Sequence, residues 1–375
     1  VLRQPGPKAR LTALDEEAVR RAAGGEVEIL REAAFVAFLS PSETVARRAL
    51  EAADARALWE DARSLDSALS EPASLKDLPS TFFESAEPPG PSNRRRHAAA
   101  YSRPYISHGS MGPSCGIAQY RDGVLTLHTH AQGVYPMRLM AARATGLPVE
   151  AVRVIHAQGA GNYGHNGSDD AAIDAAVIAV RRPGAPVRVQ WRREDEFGHA
   201  PVGTAMHIEM SGELDASGKV AQIANEVWSG PHVGRGRALA EFALPPRDEP
   251  PAPPPNPAAA AMMARFSGAR LNAIPSYDIP ESRVVEHTIT PTPVRTSSLR
   301  GLGGPVNTYA GECFIDELAA IAGQDPLAYR LGMVSDPRAV AVLERIGGIS
   351  DWTSRRSALP PGHGLGIGYS RHRDR

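Results

Sequence analysis

The sequence is poor in the residues that usually announce a chemistry. Among 375 residues there are two cysteines, Cys115 and Cys313. Two thiols cannot build a disulfide framework, and an iron–sulfur cluster normally needs four thiolates. Any redox chain that reaches this polypeptide therefore continues on another subunit. Both cysteines have small or apolar neighbours, which points to burial rather than reactivity. An excess of one charge is also lacking. Lys and Arg number 41 against 42 Asp and Glu, a formal net charge of −1. That balance gives no electrostatic case for nucleic acid or for a membrane surface. No apolar run is long enough to span a bilayer. There is no Gly-x-Ser-x-Gly elbow to carry a nucleophilic serine, and no internal repeat.

What is there is enough chain for two or three domains. It opens Val1-Leu2-Arg3, without an initiator Met or a signal peptide. It closes on Gly-Leu-Gly-Ile-Gly-Tyr-Ser-Arg-His-Arg-Asp-Arg, which starts like a strand and stops. These ends are expected of an internal piece of a longer protein, so no compartment, cytoplasmic or periplasmic, is read from them. Residues 26–39 alternate and are rich in Val, Ile and Phe, as short strands are. Ser40, Pro41 and Glu43 then suit an N-cap, a first helical residue and a capping-box partner for a helix to about Ala55. Residues 71–100, with Ser, Pro and Arg94-Arg95-Arg96, read as a solvated linker. From Tyr101 the texture changes. Strands are expected at 123–129, 152–155 and 187–191, and a hairpin turns at Asp215–Gly218. Helices are expected from Pro136 to Gly146, from Ser168 to Arg182, and across Phe314–Ala322. Asp325-Pro326 restarts a shorter helix. Residues 245–260 form a proline-rich surface insertion. The expected class is α+β.

Three stretches carry polar groups in arrangements that suit a ligand. In Gln158-Gly-Ala-Gly-Asn-Tyr-Gly-His-Asn-Gly-Ser-Asp-Asp170, the glycines permit positive φ and close backbone approach, and successive N–H groups can form an anion nest. Gly159-Ala-Gly161-Asn-Tyr-Gly164 has the dinucleotide spacing and follows a strand. Asp169 and Asp170 would, however, put two carboxylates beside a pyrophosphate, and the next strand, Val187–Trp191, supplies no ribose-binding acid. The pattern alone leaves a strand-to-helix turn and a ligand loop both open. His128 and His130, on one strand, suit a metal pair only if a further ligand is found nearby, and none is; structural histidines are expected. Gln132, at the strand exit, has a donor and an acceptor for a polar ligand. In Arg295-Thr-Ser-Ser-Leu-Arg300-Gly301-Leu-Gly-Gly-Pro305, Arg300 suits an oxyanion. Two glycine turns and a polar strand exit read as walls of one cleft.

Taken in order, the motifs AQGVYPMRLMAARATGLPVEAVRV, QGAGNYGHNGSDDAAIDAA, VQWRREDEF and RTSSLRGLGGPVNTYAGECFIDELAAIAGQDPLAYRL resemble the molybdenum-binding large subunits of the xanthine oxidase and aldehyde oxidase family. The forms YGHNGSDDAA and SHGSMGPSC are similar to the nicotinate dehydrogenase and isoquinoline 1-oxidoreductase branch. The resemblance covers most of 101–345, the molybdenum cofactor-binding region. It implies a partial hammerhead-like α+β domain over 1–70, and the start of a further, truncated cofactor-binding region at 346–375.

The resemblance also implies a mechanism. A pterin dithiolene, not protein side chains, holds the molybdenum, so no residue here is a metal ligand. An N-heteroaromatic or aldehyde is oxidised with water as oxygen donor. Electrons leave through a small [2Fe-2S] subunit, toward a c-type cytochrome or another acceptor. The bacterial branch implies the cytosine dinucleotide form of the pterin. Gln132 matches the glutamine that hydrogen-bonds an oxygen ligand of the metal. Tyr163 and Gly164 match the aromatic–glycine pair beside those ligands, with Gly161 and Asn162 shaping the loop. Arg300 and Gly301 match the arginine–glycine turn near the cofactor. Purine-oxidising relatives place a glutamate where this chain reads His165-Asn166-Gly167, which argues against a purine. Nothing in 346–375 matches the family's general-base glutamate. A scaffold subunit lacking that base is the main alternative, and a nicotinamide-dependent dehydrogenase is the remote one. The 375-residue chain by itself is expected neither to hold the cofactor tightly nor to turn over; stoichiometric molybdenum in the isolated chain would overturn this.

Overall fold

The structure is a computed structural model and describes residues 1–6, 9–61, 65–87, 92–245 and 268–371. The proline-rich stretch lies, beyond Pro245, outside the described residues. Helices and strands are mixed in open sheets, as an α+β chain requires.

The N-terminal unit comprises β1 (Arg10–Ala13), α1 (Glu16–Ala23), β2 (Glu28–Glu32), β3 (Phe35–Leu39), α2 (Glu43–Asp54) and β4 (Leu58–Glu60). β2 and β3 form a hairpin, and β1 pairs with β4. The α2 cap lies two residues later than the sequence suggested. Ser42 Oγ accepts from the Val45 N–H, while Ser40 Oγ accepts from the Ser42 N–H within the turn out of β3. Leu30, Phe35 and Ala37 join the core of the next unit. A buried Arg3–Asp174 pair at 2.7 Å crosses the same boundary, as do more exposed pairs from Arg181 to Glu32, Arg182 to Glu28 and Arg192 to Asp54. The exposed pairs add little to stability; the shared apolar core does most of the joining.

Next comes a four-stranded sheet in the order β10-β7-β8-β9 (Val187–Gln190, Cys115–Arg121, Val124–Thr129, Val152–His156). β8 and β9 are parallel, and α3 (Val134–Thr145) makes the crossover between them. α3 begins at Val134, two residues before the expected Pro136, because Gly133 at φ +80 turns the chain directly out of the strand exit. α4 (Ser168–Arg181) lies on the sheet and is buried from Ser168 to Ala179. Its run of alanines lets it come close: a Cβ on Gly116 of β7 would strike the Ala172 backbone. α5 (Arg193–His199) follows β10.

The second sheet has the order β5-β13-β12-β11-β6 (Ser80–Glu84, Glu281–Ile289, Val220–Ser229, Met206–Leu214, Arg95–Arg103). β5 and the first residues of β6 fall inside the stretch expected to be a linker. The sequence hides them because β5 is a short edge strand with Phe82 and Phe83 exposed, and β6 begins on arginines. Arg95 donates to the Ile321 carbonyl at a helix C-terminus, while Arg96 is exposed. The β11–β12 turn is as expected, with Asp215 accepting from Ser217 and Lys219. α6 (Leu239–Ala243) is short. α7 (Gly304–Ile321) covers this sheet, followed by α8 (Pro326–Leu331, capped by Asp325), α9 (Pro337–Ile349) and α10 (Trp352–Ser357). α9 runs through the boundary expected at 346. Residues 364–371 are not a strand: no strand among the described residues pairs with them, and the Tyr369 N–H donates to Glu312 instead.

Arg330 is the buried pin of this unit. Its side chain is fully buried, 3.0 Å from Glu312 Oε2 and 2.5 Å from Asp316 Oδ1, and it also donates to the Pro326 and Glu312 carbonyls. Arg330→Ala strands Glu312 among Tyr277 and the Tyr369 backbone. Its expected cost is about 3–5 kcal/mol, read as a lower urea midpoint; a cost within ~0.5 kcal/mol would show that the cation is dispensable.

Candidate functional site

The site is built on the N-terminus of α4. Its first turn carries Asp169 and Asp170, where negative charge is favourable. Both side chains are buried, and each holds an arginine from a different loop. Asp169 pairs with Arg235. Asp170 takes Arg295 through two bonds of 2.8 Å and also accepts from the Leu239 N–H at 2.8 Å. Arg295 continues to the His199 and Arg237 carbonyls. Burial pushes the Asp169 carboxyl up to about 6, although Arg235 pulls the other way. The two aspartates thus gather the 230–237 and 295–304 loops around the helix start.

The glycine loops are then joined backbone to backbone. Gly164 and Leu299 form an isolated bridge. The Arg300 N–H donates to the Tyr163 carbonyl at 2.8 Å, and the His165 N–H to the Ser298 carbonyl at 2.9 Å. Gly164 has φ +131, and a Cβ there would collide with the Ser298 carbonyl oxygen. Tyr163 sits at φ +56, a left-handed conformation that is uncommon for a residue of its kind. Asn162 secures the turn: its Oδ1 accepts from the Gly164 N–H, while its Nδ2 donates to the His130 carbonyl and to Ser168 Oγ. Through His130 the loop is tied to the exit of β8, two residues before Gln132. Ser168, expected as the helix cap, is instead the first helical residue, and Asn166 Oδ1 accepts from its N–H.

The structure therefore joins the backbones of Tyr163–His165 and Ser298–Arg300, with Asn162 tied to the His130 carbonyl two residues before Gln132. It does not make a pair of His128 and His130. His128 is exposed, whereas His130 is buried beyond the strand end, its Nε2 facing the Cys115 N–H at 3.5 Å. No group of three or more His, Cys, Asp or Glu suited to a metal ion occurs among the described residues. Cys115 and Cys313 are half-buried rather than fully buried, and burial pushes both thiols up.

Two walls were missed by the sequence reading. The first is Gly234-Arg235-Gly236-Arg237, whose glycine–arginine alternation was the available signal. The second is the 107–114 loop, of which only the resemblance was noted. His108 Nε2 donates to the Ser298 carbonyl at 2.8 Å, and Asn166 donates to Ser110 Oγ at 3.2 Å. Glu196 of α5 accepts from the Ser114 N–H at 2.5 Å. Cavities of about 710 and 500 Å³, lined in part by Arg94 and Asp215, share no residue with these loops.

The junction carries donors that suit an anionic group. Gly133, Gly161 and Gly301 all have positive φ, and a Cβ on Gly161 or Gly301 would strike the Tyr163 ring or Pro305. The exposed Gln132 amide and Arg300 guanidinium bond to none of the described residues, and buried Arg235 Nη2 has no partner. These are donors with capacity to spare, and Arg235 among them is anchored on Asp169.

Comparison with known proteins agrees. The Molybdopterin cofactor-binding domain family matches residues 94–234, which include the 107–114 loop, Gln132 and the 158–167 loop. A nicotinate dehydrogenase chain of Pseudomonas putida is 34% identical over 260 residues, 69% of this chain and 20% of that protein. The beta chain of isoquinoline 1-oxidoreductase from Brevundimonas diminuta is 26% identical over 213 residues, 56% of this chain and 25% of that protein. The chain thus spans a quarter or less of these two relatives. In fold it is similar to quinoline 2-oxidoreductase from Pseudomonas putida 86, with a TM-score of 0.68 at 16% identity over 95% of this chain and 51% of that one. It is also similar to aldehyde oxidoreductase from Desulfovibrio gigas, with a TM-score of 0.65 at 17% identity over 87% of this chain and 36% of that one.

Gly164→Ala tests the junction directly. The added methyl meets a carbonyl oxygen at a φ that suits glycine, and the expected loss is about 2–4 kcal/mol. Limited proteolysis should then cut within 158–167 or 295–304 before the sheets unfold. Wild-type resistance in the variant would show that the two loops are not interdependent.

Proposed function

The chain belongs to the molybdenum-binding subunits of the xanthine oxidase and aldehyde oxidase family, and from that premise we propose that its loop junction forms one wall of a hydroxylase site. The substrate is an N-heteroaromatic or an aldehyde, with water as oxygen donor. The observation that carries this reading is the pair of glycine loops bonded backbone to backbone, with a Gln132 amide and an Arg300 guanidinium that bond to none of the described residues. When bound, a molybdenum–pterin group supplies two-electron redox chemistry that side chains lack.

The chain's own residues bind and orient. Gln132 would donate a hydrogen bond from its amide to the bound group. Gly161, Asn162, Tyr163 and Gly164 would present the backbone of one loop, and Arg300 and Gly301 that of the other. Backbone donors fixed in advance stabilise charge without reorganising during reaction. Asp169 and Asp170 act at one remove, by holding Arg235 and Arg295. His165-Asn166-Gly167 offers no carboxylate for a purine. With two cysteines on this chain, electrons would leave through a small [2Fe-2S] subunit, then a c-type cytochrome or another acceptor. The likeness to bacterial relatives supports the cytosine dinucleotide form of the pterin.

The test is elemental analysis of the full-length protein purified with its partners. About one molybdenum per chain is expected, with oxidation of N-heterocycles or aldehydes. Gln132→Ala should lower kcat by roughly 10²–10³ with the metal retained. Metal-free protein from cells competent in cofactor synthesis would favour a scaffold subunit instead.

A further inference from the structure

The larger of the two cavities lies away from the glycine loops, at the end of the second sheet where β11 turns into β12. It measures about 710 Å³, and Arg94, Glu213, Asp215, Gln222 and Glu281 are among the residues that line it. Gly212 belongs to the face under α7, because a Cβ there would strike the Phe314 ring. Strand alternation then turns Glu213 to the opposite face. Gln222 stands opposite Glu213 on β12, and Glu281 stands opposite Gln222 on β13. Neighbouring strands lie about 4.8 Å apart, so two glutamates flank one amide in a row across three strands.

None of the three side chains finds a partner among the described residues. Gln222 is only 8% exposed, yet its amide makes no bond to them, and its polar atoms are not sealed off, so they open on the cavity. Glu213 Oε2 is sealed in protein without a donor, so the charge must be compensated at Oε1. Glu281 is exposed. Nearby guanidinium groups do not supply the missing donors. Arg95 donates to the Ile321 carbonyl on the α7 side, while Arg94 and Arg96 are exposed and form no ion pair with the described residues. A primary ammonium carries one positive charge and three N–H donors. Two carboxylates with an amide oxygen between them offer the opposite charge and three acceptors. A metal ion is a poorer match, since no group of three His, Cys, Asp or Glu suited to one occurs among the described residues.

We propose that this cavity binds the ammonium end of a small alkylamine, held between Glu213 and Glu281 with its third hydrogen on the Gln222 amide oxygen. The site is separate from the loop junction and does not depend on the hydroxylase reading. Hydrogen bonds to charged groups are the stronger kind, so a cation without N–H groups should be discriminated against.

The test titrates the full-length subunit, with its partners, against n-butylammonium and follows binding by saturation-transfer NMR. Tetramethylammonium is the control, of equal charge but without N–H groups. Saturable binding of n-butylammonium is expected, about 10-fold tighter than that of tetramethylammonium. Gln222→Leu removes the central acceptor and should weaken binding about 5-fold. Glu281→Gln, a change at an exposed strand end, removes one charge and should weaken it about 10-fold. Equal affinity for the two cations would mark a diffuse negative patch and overturn the proposal. So would the absence of saturation with n-butylammonium, or an affinity unchanged in either variant. If Gln222→Leu fails to fold, Glu281→Gln and the tetramethylammonium control decide between the same outcomes.

Discussion

Two adjacent buried carboxylates organise this molecule. Asp169 and Asp170 stand in the first turn of a helix sealed from solvent, so each must be compensated within the protein. The helix N-terminus supplies part of the compensation. Arg235 and Arg295 supply the rest, and they come from loops about sixty and a hundred and twenty-five residues further along. Satisfying the charges therefore drags two distant loops to one place. The bidentate geometry at Arg295 fixes direction as well as proximity. Once Arg295 is seated, the residues after it run alongside Tyr163 and Gly164, and backbone bonds complete the junction.

This depends in turn on close packing beneath. Ser168-Asp-Asp-Ala-Ala-Ile-Asp-Ala-Ala is rich in small residues, and Gly116 leaves no Cβ in its way. A bulkier helix would ride higher on the sheet and move both carboxylates. The N-terminal unit is bolted to the same helix by Arg3 on Asp174 and by Phe35 in the shared core. Residues of the N-terminal unit thus share a core with the helix that carries the two aspartates. The strained turn at Tyr163 is tolerable only on so fixed a base, with Asn162, Ser298 and Arg300 holding its backbone.

Much of the local structure was legible in the residues. Asp215–Gly218 announced its turn, Asp325-Pro326 its helix start, and the apolar stripe of Phe314, Ile315 and Leu318 its buried face. The misreadings share one cause. β5 and the start of β6 are strands because of their neighbours, not because of a period in Ser-Thr-Phe-Phe-Glu or a run of arginines. Residues 364–371 alternate like a strand but have no edge to join. Ser40 and Ser42 are equal as caps until β3 uses up the turn. Nothing local to Arg235 distinguishes a loop arginine with a buried partner from a solvated one.

The sequence by itself settled the class of fold, the absence of any thiolate set for a cluster, and the family, because composition and ordered motifs survive without coordinates. It also located two glycine loops, since positive φ and close approach select glycine wherever they are needed. Only the tertiary structure decided that these loops touch and that Asp169 and Asp170 serve arginines rather than a ligand. Each of those facts is a pairing between residues far apart in the chain. A pairing of that kind is fixed by packing and by the cost of leaving a buried charge alone, and no local pattern records it.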